Sequence, residues 1–303
     1  MMGRILGLLR GIAAMLFITC ITILVWIPLA LWILQWPFTR GASRARLRKR
    51  MDKIILWWTG GNRWMYRTLH MSEVEVRWHN REDMSDQHWY MVVSNHQSWT
   101  DIVLLQSHLY GTIPPLKFFT KQQLIWVPGI GPAMYFLGFP YVKRATREQI
   151  RANPKLRSAD RDNTLKACEG FKNHPTSILN FLEGTRNNPD KHAAQKSAYK
   201  HLLSPKIGGM GYVLTGMQDH LACLIDVTII YPDGVPSFWG YLRGECARVI
   251  IDVRPRPIPE QLTASDDGES NQRAFLSQWV REIWEEKDQL IASETSTSEP
   301  VTG

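Results

Sequence analysis

The sequence predicts an α/β domain, with a mixed and mostly parallel sheet flanked by helices, behind an N-terminal membrane helix or helical hairpin. Two patterns predict it. From residue 70 onward short β-rich runs alternate with helical stretches, the order that gives strands joined by crossovers and a sheet covered on both faces. Ahead of them, Gly11 to Thr39 is a run of 29 residues without a charge, longer than the roughly 20 that a helix needs to cross a bilayer.

Taken in order, that run comes first. It has neither the short apolar core nor the small-residue cleavage site of a signal peptide, so it reads as a membrane segment. Pro28 interrupts it, which leaves a kinked spanning helix and a hairpin dipping into one leaflet as alternatives. Seven basic residues from Arg40 to Lys53 follow; such residues favour the cytoplasmic side and attract anionic headgroups. The body is therefore expected at the cytoplasmic face of a membrane, in a bacterium the inner one. Trp57, Trp58 and Trp64 make 54–69 an interfacial segment or else a Trp-rich core helix, interrupted at Gly60 and Gly61. Residues 1–69 are read as the anchor.

Residues 70–291 are read as one domain. VEVRW (74–78), WYMVVS (89–94), LKFFT (116–120), TSILNFLE (176–183), LACLIDVTIIY (221–231) and ARVIIDVRP (247–255) have strand composition. DIVLLQSHL (101–109), Thr164 to Lys172, GMGYVLTGM (209–217) and 271–291 read as helices. A Gly/Pro-punctuated apolar segment (127–138) leads into FPYVKR (139–144), and a polar loop runs from Gly184 to about Ser197. Residues 292–303 read as a disordered tail.

Charge and composition remove several functions. The net charge of +8 is wholly accounted for by residues 1–53, where nine basic residues face the lone Asp52. The remaining body is neutral, with no basic groove for nucleic acid. A mean hydropathy of −0.23 excludes a multi-span transporter. Four scattered cysteines form no CxxC, so neither a zinc site nor a disulfide framework is indicated. P-loop, GxSxG, HExxH and dinucleotide signatures are absent, and no cofactor or metal is expected.

Two clusters carry chemistry. In SNHQSWTD (94–101), His96 follows an apolar strand and Asp101 lies five residues on, at a strand end where α/β sheets present reactive groups. Ser98 to Asp101 also fits a capping box, which alone accounts for both polar residues. The readings are compatible, because the turn at the cap can bring the carboxylate to Nδ1 and leave Nε2 to accept a proton. In FLEGTRN (181–187) a strand ends in Glu183, Gly184, Thr185 and Arg186. There Arg186 is either an anion ligand or a surface ion-pair residue. Lys121, Lys143 and Arg144 repeat the pattern of a cation at a strand end, and three such ends on one sheet can converge on an anion.

The order of these motifs resembles the glycerolipid acyltransferase superfamily, the lysophosphatidic acid acyltransferases and their lysophospholipid and lysocardiolipin relatives. Its NHxxxxD block is matched by Asn95, His96 and Asp101, its Gly-to-Arg block by Gly138 to Arg144, and its EGTR block by Glu183 to Arg186. The likeness spans about residues 66–255. PKIGG (205–209) and the end of 224–232 compete for the last block, and the insert before EGTR is similar to the lysocardiolipin and bacterial inner-membrane branch. The resemblance implies an acyl thioester on coenzyme A or acyl carrier protein as co-substrate and a lysophospholipid hydroxyl as acceptor, foremost 1-acyl-sn-glycerol-3-phosphate, with another lysophospholipid as alternative. It implies His96 as general base with Asp101 behind it. Lys121, Arg144, Glu183, Gly184, Thr185 and Arg186 become substrate-binding residues, with the backbone near Gly184 as an oxyanion donor. A non-catalytic lipid-binding scaffold and a lipid esterase are the competing classes.

Overall fold

A computed structural model describes residues 2–142, 155–262 and 269–296. The chain begins with helix α1 (Met2–Gln35), turns through a 3-10 segment at Trp36–Phe38, and returns as α2 (Gly41–Thr68). Ring contacts pair Trp32 with Trp57 and Phe17 with Trp64, and Trp58 Nε1 donates to Thr22 Oγ1 at 3.0 Å, so the two helices run antiparallel. The uncharged run stays one helix through Pro28, long and apolar enough to cross a membrane, and it is not itself bent into a hairpin; the hairpin is formed with the charged α2 that follows. α2 continues unbroken through Gly60 and Gly61, because each lacks the Cβ that would meet Tyr110 and Ile21 respectively. One side of it packs into the core through Ile54, Ile55, Met65 and Tyr66, while Trp57 and Trp64 are exposed.

The body is a six-stranded sheet of β1 (Glu73–Trp78), β2 (Trp89–Ser94), β3 (Leu116–Phe118), β6 (Ser177–Phe181), β7 (Leu221–Ile230) and β8 (Arg248–Arg256), in the order β1-β8-β7-β2-β6-β3. All its pairs are parallel except β7 with β8. Two short strands, β4 (Thr120–Lys121) and β5 (Tyr141–Val142), form a separate parallel pair. The expectation that Lys121 and the run ahead of Arg144 end on the same sheet as EGTR is therefore corrected.

Continuous apolar runs are needed because both faces are covered. Tyr90 and Val92 of β2 and Ile225, Val227 and Ile229 of β7 face one core, under α2 and α3 (Thr100–Leu109). Met91, Val93, Leu224 and Ile230 face the other. That second core lies under α5 (Lys155–Phe171), α7 (Gly208–Met217) and α9 (Glu269–Ser296). Three further helices are short: α4 (Ile130–Phe136), α6 (Pro189–Gln195) and α8 (Phe238–Leu242). The segment read as a loop after Gly184 thus contains a helix. It is started by Asn188, whose side chain accepts from Lys191 N, and by Pro189 at the first turn. The last helix runs five residues past Ile291, to Ser296.

Candidate active site

Strand β2 sits in the middle of the sheet and delivers His96 to its C-terminal edge. Asn95 is fully buried there and fastens the edge: its Oδ1 accepts from Ile229 N and its Nδ2 donates to Ile229 O, both at 2.8 Å. The chain then turns sharply into α3. In that turn the Asp101 carboxylate, 1 % exposed, folds back beneath the loop. Its Oδ2 accepts from His96 Nδ1 at 2.8 Å, Gln97 N at 2.6 Å and Ser98 N at 2.8 Å, while Oδ1 accepts from Tyr231 Oη at 2.5 Å. Four donors fill what a carboxylate offers.

The capping contact and the contact to the imidazole therefore coexist at Asp101. Its bond to Ser98 N is the backward half of a capping box, and the same oxygen holds the imidazole. Ser98 Oγ accepts from Thr100 N at 3.2 Å and donates to Pro236 O at 2.7 Å. With Nδ1–H committed to Asp101, neutral His96 presents Nε2 as its acceptor. The ring stacks on Phe181, centroids 4.0 Å apart and 16° from parallel, with 12 % of the side chain exposed.

The EGTR turn closes on this loop from β6. Glu183 is fully buried; Oε1 accepts from His96 N at 2.7 Å and Oε2 from Leu203 N at 3.0 Å. Burial pushes its carboxyl up to about 7 despite those two amides. Asn187 N in turn donates to His96 O at 2.7 Å, so both main-chain polar groups of His96 are held by this turn. The expectation that Glu183 contacts substrate gives way to a brace between three segments. Gly184 has φ +68°, a left-handed conformation, and its amide donates to Phe181 O at 3.0 Å. That N–H is committed to the turn and is not available as the oxyanion donor expected there.

Thr185 Oγ1 accepts from Lys191 Nζ at 2.9 Å, and the same ammonium donates to Arg186 O at 3.0 Å. The Arg186 guanidinium lies 4.6 Å over the Trp99 ring, both exposed beside the His96 loop. In the small sheet β4 sets Lys121 opposite Val142. The Lys121 side chain and all of Arg144 lie outside the described part of the chain. Among the described residues no cluster of His, Cys, Asp and Glu is placed to hold a metal ion.

Tyr231 is the residue that the sequence reading missed. Its only signal was position: it ends the buried run of β7, which neighbours β2 in the sheet.

Residues 75–213 match the acyltransferase family model, and the matched stretch holds both the His96 and the EGTR blocks. That stretch thus has the sequence pattern of the family's domain. The chain is 26% identical over 275 residues to mouse 1-acyl-sn-glycerol-3-phosphate acyltransferase gamma, covering 84% of this chain and 65% of the mouse protein. Zebrafish lysocardiolipin acyltransferase 1 is 24% identical over 218 residues, covering 66% of this chain and 51% of the relative. Lysophosphatidylinositol acyltransferase 10 of Caenorhabditis elegans is 27% identical over 230 residues, 70% of this chain and 54% of the relative. The chain thus spans about half to two thirds of these curated relatives. The acyltransferase domain and its hairpin share a fold with the crystal structure of the 1-acyl-sn-glycerophosphate acyltransferase PlsC from Thermotoga maritima. Those two chains are 20% identical with a TM-score of 0.52, over 93% of this chain and 98% of the other.

Proposed function

We propose that the domain transfers a fatty acyl chain from an acyl thioester, on coenzyme A or acyl carrier protein, to the free hydroxyl of a lysophospholipid. The acceptor we favour is 1-acyl-sn-glycerol-3-phosphate, the substrate in the names of the gamma relative and the Thermotoga protein. Another lysophospholipid is the second reading, favoured by the lysocardiolipin and lysophosphatidylinositol names among the relatives. The observation that carries the reaction is the imidazole fixed through Nδ1 to a buried carboxylate with its backbone held on both sides.

An alcohol is a poor nucleophile at neutral pH. In the proposed step His96 Nε2 takes the hydroxyl proton as the oxygen attacks the thioester carbonyl, and Asp101 stabilises the imidazolium that forms. The tetrahedral oxyanion then collapses, the carbon–sulfur bond breaks, and the imidazolium returns its proton to the thiolate. Ester and thiol leave, and the histidine is neutral again. A general base of this kind supplies about 10² to 10⁴ in rate, and positioning and oxyanion stabilisation supply the rest. Arg186, and Lys121 and Arg144 by position in the chain, serve the acceptor phosphate in this reading.

The test is His96→Ala, offered lysophosphatidic acid and labelled acyl-CoA in membranes. Incorporation of label should fall by at least about a hundredfold while the variant stays membrane-bound. Retained transfer would refute the role of His96. Release of free fatty acid by the native chain, with no acylated lipid, would favour the esterase instead.

A further inference from the structure

The stretch between α6 and α7 has no regular structure at residues 200–203, so its peptide groups must find partners in other segments. They find them on two sides. Toward the sheet, Leu203 N donates to Glu183 Oε2 at 3.0 Å and His201 O accepts from Asn187 Nδ2 at 2.8 Å. Toward the C-terminal helix α9, Leu203 O accepts from Trp284 Nε1 at 2.9 Å, while Lys200 N and His201 N donate to the two oxygens of Asp288 at 2.9 and 2.7 Å.

Glu183 and Asn187 are also the residues that hold the main chain of His96, one at its N–H and the other at its carbonyl. Two routes of hydrogen bonds therefore leave His96 and end on one helix. The first runs from His96 N through Glu183 and Leu203 to Trp284. The second runs from His96 O through Asn187 and His201 to Asp288. Trp284 and Asp288 stand four residues apart, on one face of α9. Between them the buried Lys287 donates to Val227 O at 2.6 Å and Thr228 Oγ1 at 3.1 Å on β7, and it pairs with Asp226. Trp284 is itself fully buried in the second core. The helix is thus pinned to the sheet and gives residues 200–203 a fixed reference. Asp288 is partly exposed, and its carboxylate gives both oxygens to the backbone of this one segment. Both residues lie outside the stretch 75–213 that matches the family model.

We propose that Asp288 and Trp284 are positioning residues for the acyl transfer: through residues 200–203 they fix the main chain of His96, and with it the direction of Nε2. The inference rests on the acyl-transfer reading. A reacting group displaced by about 1 Å can lose about a hundredfold in rate, so a brace that touches no substrate still shows in kcat.

The experiment uses the full chain in detergent micelles. Asp288→Ala removes both acceptors, Asp288→Glu restores a carboxylate on a longer stem, and Trp284→Phe keeps a ring in the core without the N–H. Initial rates with 1-oleoyl-lysophosphatidic acid and palmitoyl-CoA, each varied in turn, give kcat and both KM values per folded molecule. Hydrogen exchange in peptides spanning His96 and Asn187 reads their amides without turnover. Asp288→Ala and Trp284→Phe should each lower kcat about tenfold while both KM values change by less than about twofold, and the two amides should exchange about tenfold faster. Asp288→Glu should recover most of the rate and of the protection. A lower melting temperature with kcat and exchange unchanged would make α9 a stabilising helix only and overturn the proposal. A loss confined to KM, or one that Asp288→Glu does not recover, would overturn it as well. If Trp284→Phe fails to fold, Asp288→Ala, at a partly exposed position, decides by itself. His96→Ala run in parallel separates the two failures: if it retains transfer, the reaction assignment falls, while amide exchange in Asp288→Ala still decides whether α9 holds the His96 main chain.

Discussion

The Asp101 carboxylate shows how one residue serves the fold and the proposed chemistry together. Its Oδ2 draws the His96 ring and two loop amides onto one point, and Tyr231 Oη fixes the other oxygen. Burial and the neighbouring carboxylate push the Tyr231 phenol up, so it remains a donor at any working pH. Tyr231→Phe leaves Oδ2 held by its three donors and takes away the donor to Oδ1. Its kcat should fall about tenfold with both KM values within twofold, since a hydrogen bond to a charged group is worth about 1.5–3 kcal/mol. An unchanged kcat would make Tyr231 a packing residue only. Glu183 makes the opposite compromise. Its folded value of about 7 exceeds the ordinary 4.5, so the folded chain holds an extra proton between those values. The stability from that proton is complete below about 4.5 and is lost as pH rises through about 7, a cost of about 3 kcal/mol. The ionised form, however, is the one that can accept from both His96 N and Leu203 N. Between pH 5 and 8 the melting temperature of the native chain should fall more than that of Glu183→Gln, whose transfer rate should be low throughout. Parallel melting curves would contradict this.

At the scale of elements, what the sequence made legible is what periodicity and strand ends encode. The six strands of the main sheet could be read because runs such as LIDVTII in β7 are buried on both faces and are apolar but for Asp226 and Thr228. His96, Asp101 and the EGTR turn could be read because they stand where those runs stop. Short helices could not: α6 and α8 depend on one capping side chain each, Asn188 and Ser237. Contacts between distant segments were equally invisible. Asp52, the lone acid of the first 53 residues, carries no sign in the sequence of a distant partner. It is the partner of Lys117 in β3 at 2.8 Å and of His174 ahead of β6 at 2.5 Å. Lys117 is 2 % exposed, and burial lowers its pKa while Asp52 opposes the shift. This cluster joins the hairpin to the sheet. Asp52→Asn leaves a buried ammonium without its counter-ion, which typically costs about 3–5 kcal/mol. The variant should melt lower and be cut by protease within the hairpin, whereas Asp52→Asn with Lys117→Met should recover most of the loss. A single variant as stable as the native chain would show that the pair does not hold the hairpin.

For the molecule as a whole, the separation of charge seen in the sequence becomes a separation of surfaces. α1 exposes Leu9, Leu16, Leu24, Ile27 and Leu34, and α2 adds Trp57 and Trp64, an apolar face larger than a soluble monomer normally leaves uncovered. The site is tied to this face by a short chain of contacts. Ser98, two residues from His96, bonds to Pro236, and the α8 helix that follows lays Trp239 and Arg243 against Gly11 of α1. The loop that holds His96 is thus linked to α1 through α8. The cations after the turn act over a different range from the apolar face. Their attraction to anionic headgroups is worth about 1 kcal/mol each and is screened within ~3 Å at 1 M salt, whereas burial of α1 is indifferent to salt. Arg46, Lys49, Arg50 and Lys53 are exposed on α2, and replacing all four by Gln separates the two effects. In vesicle flotation the native chain should stay with vesicles at 1 M salt, and at low salt it should prefer anionic over neutral vesicles. The quadruple variant should float as well but lose that preference. If the preference survives, the basic stretch does not face the headgroups, and the hairpin meets the membrane by another side than the one that its charges mark.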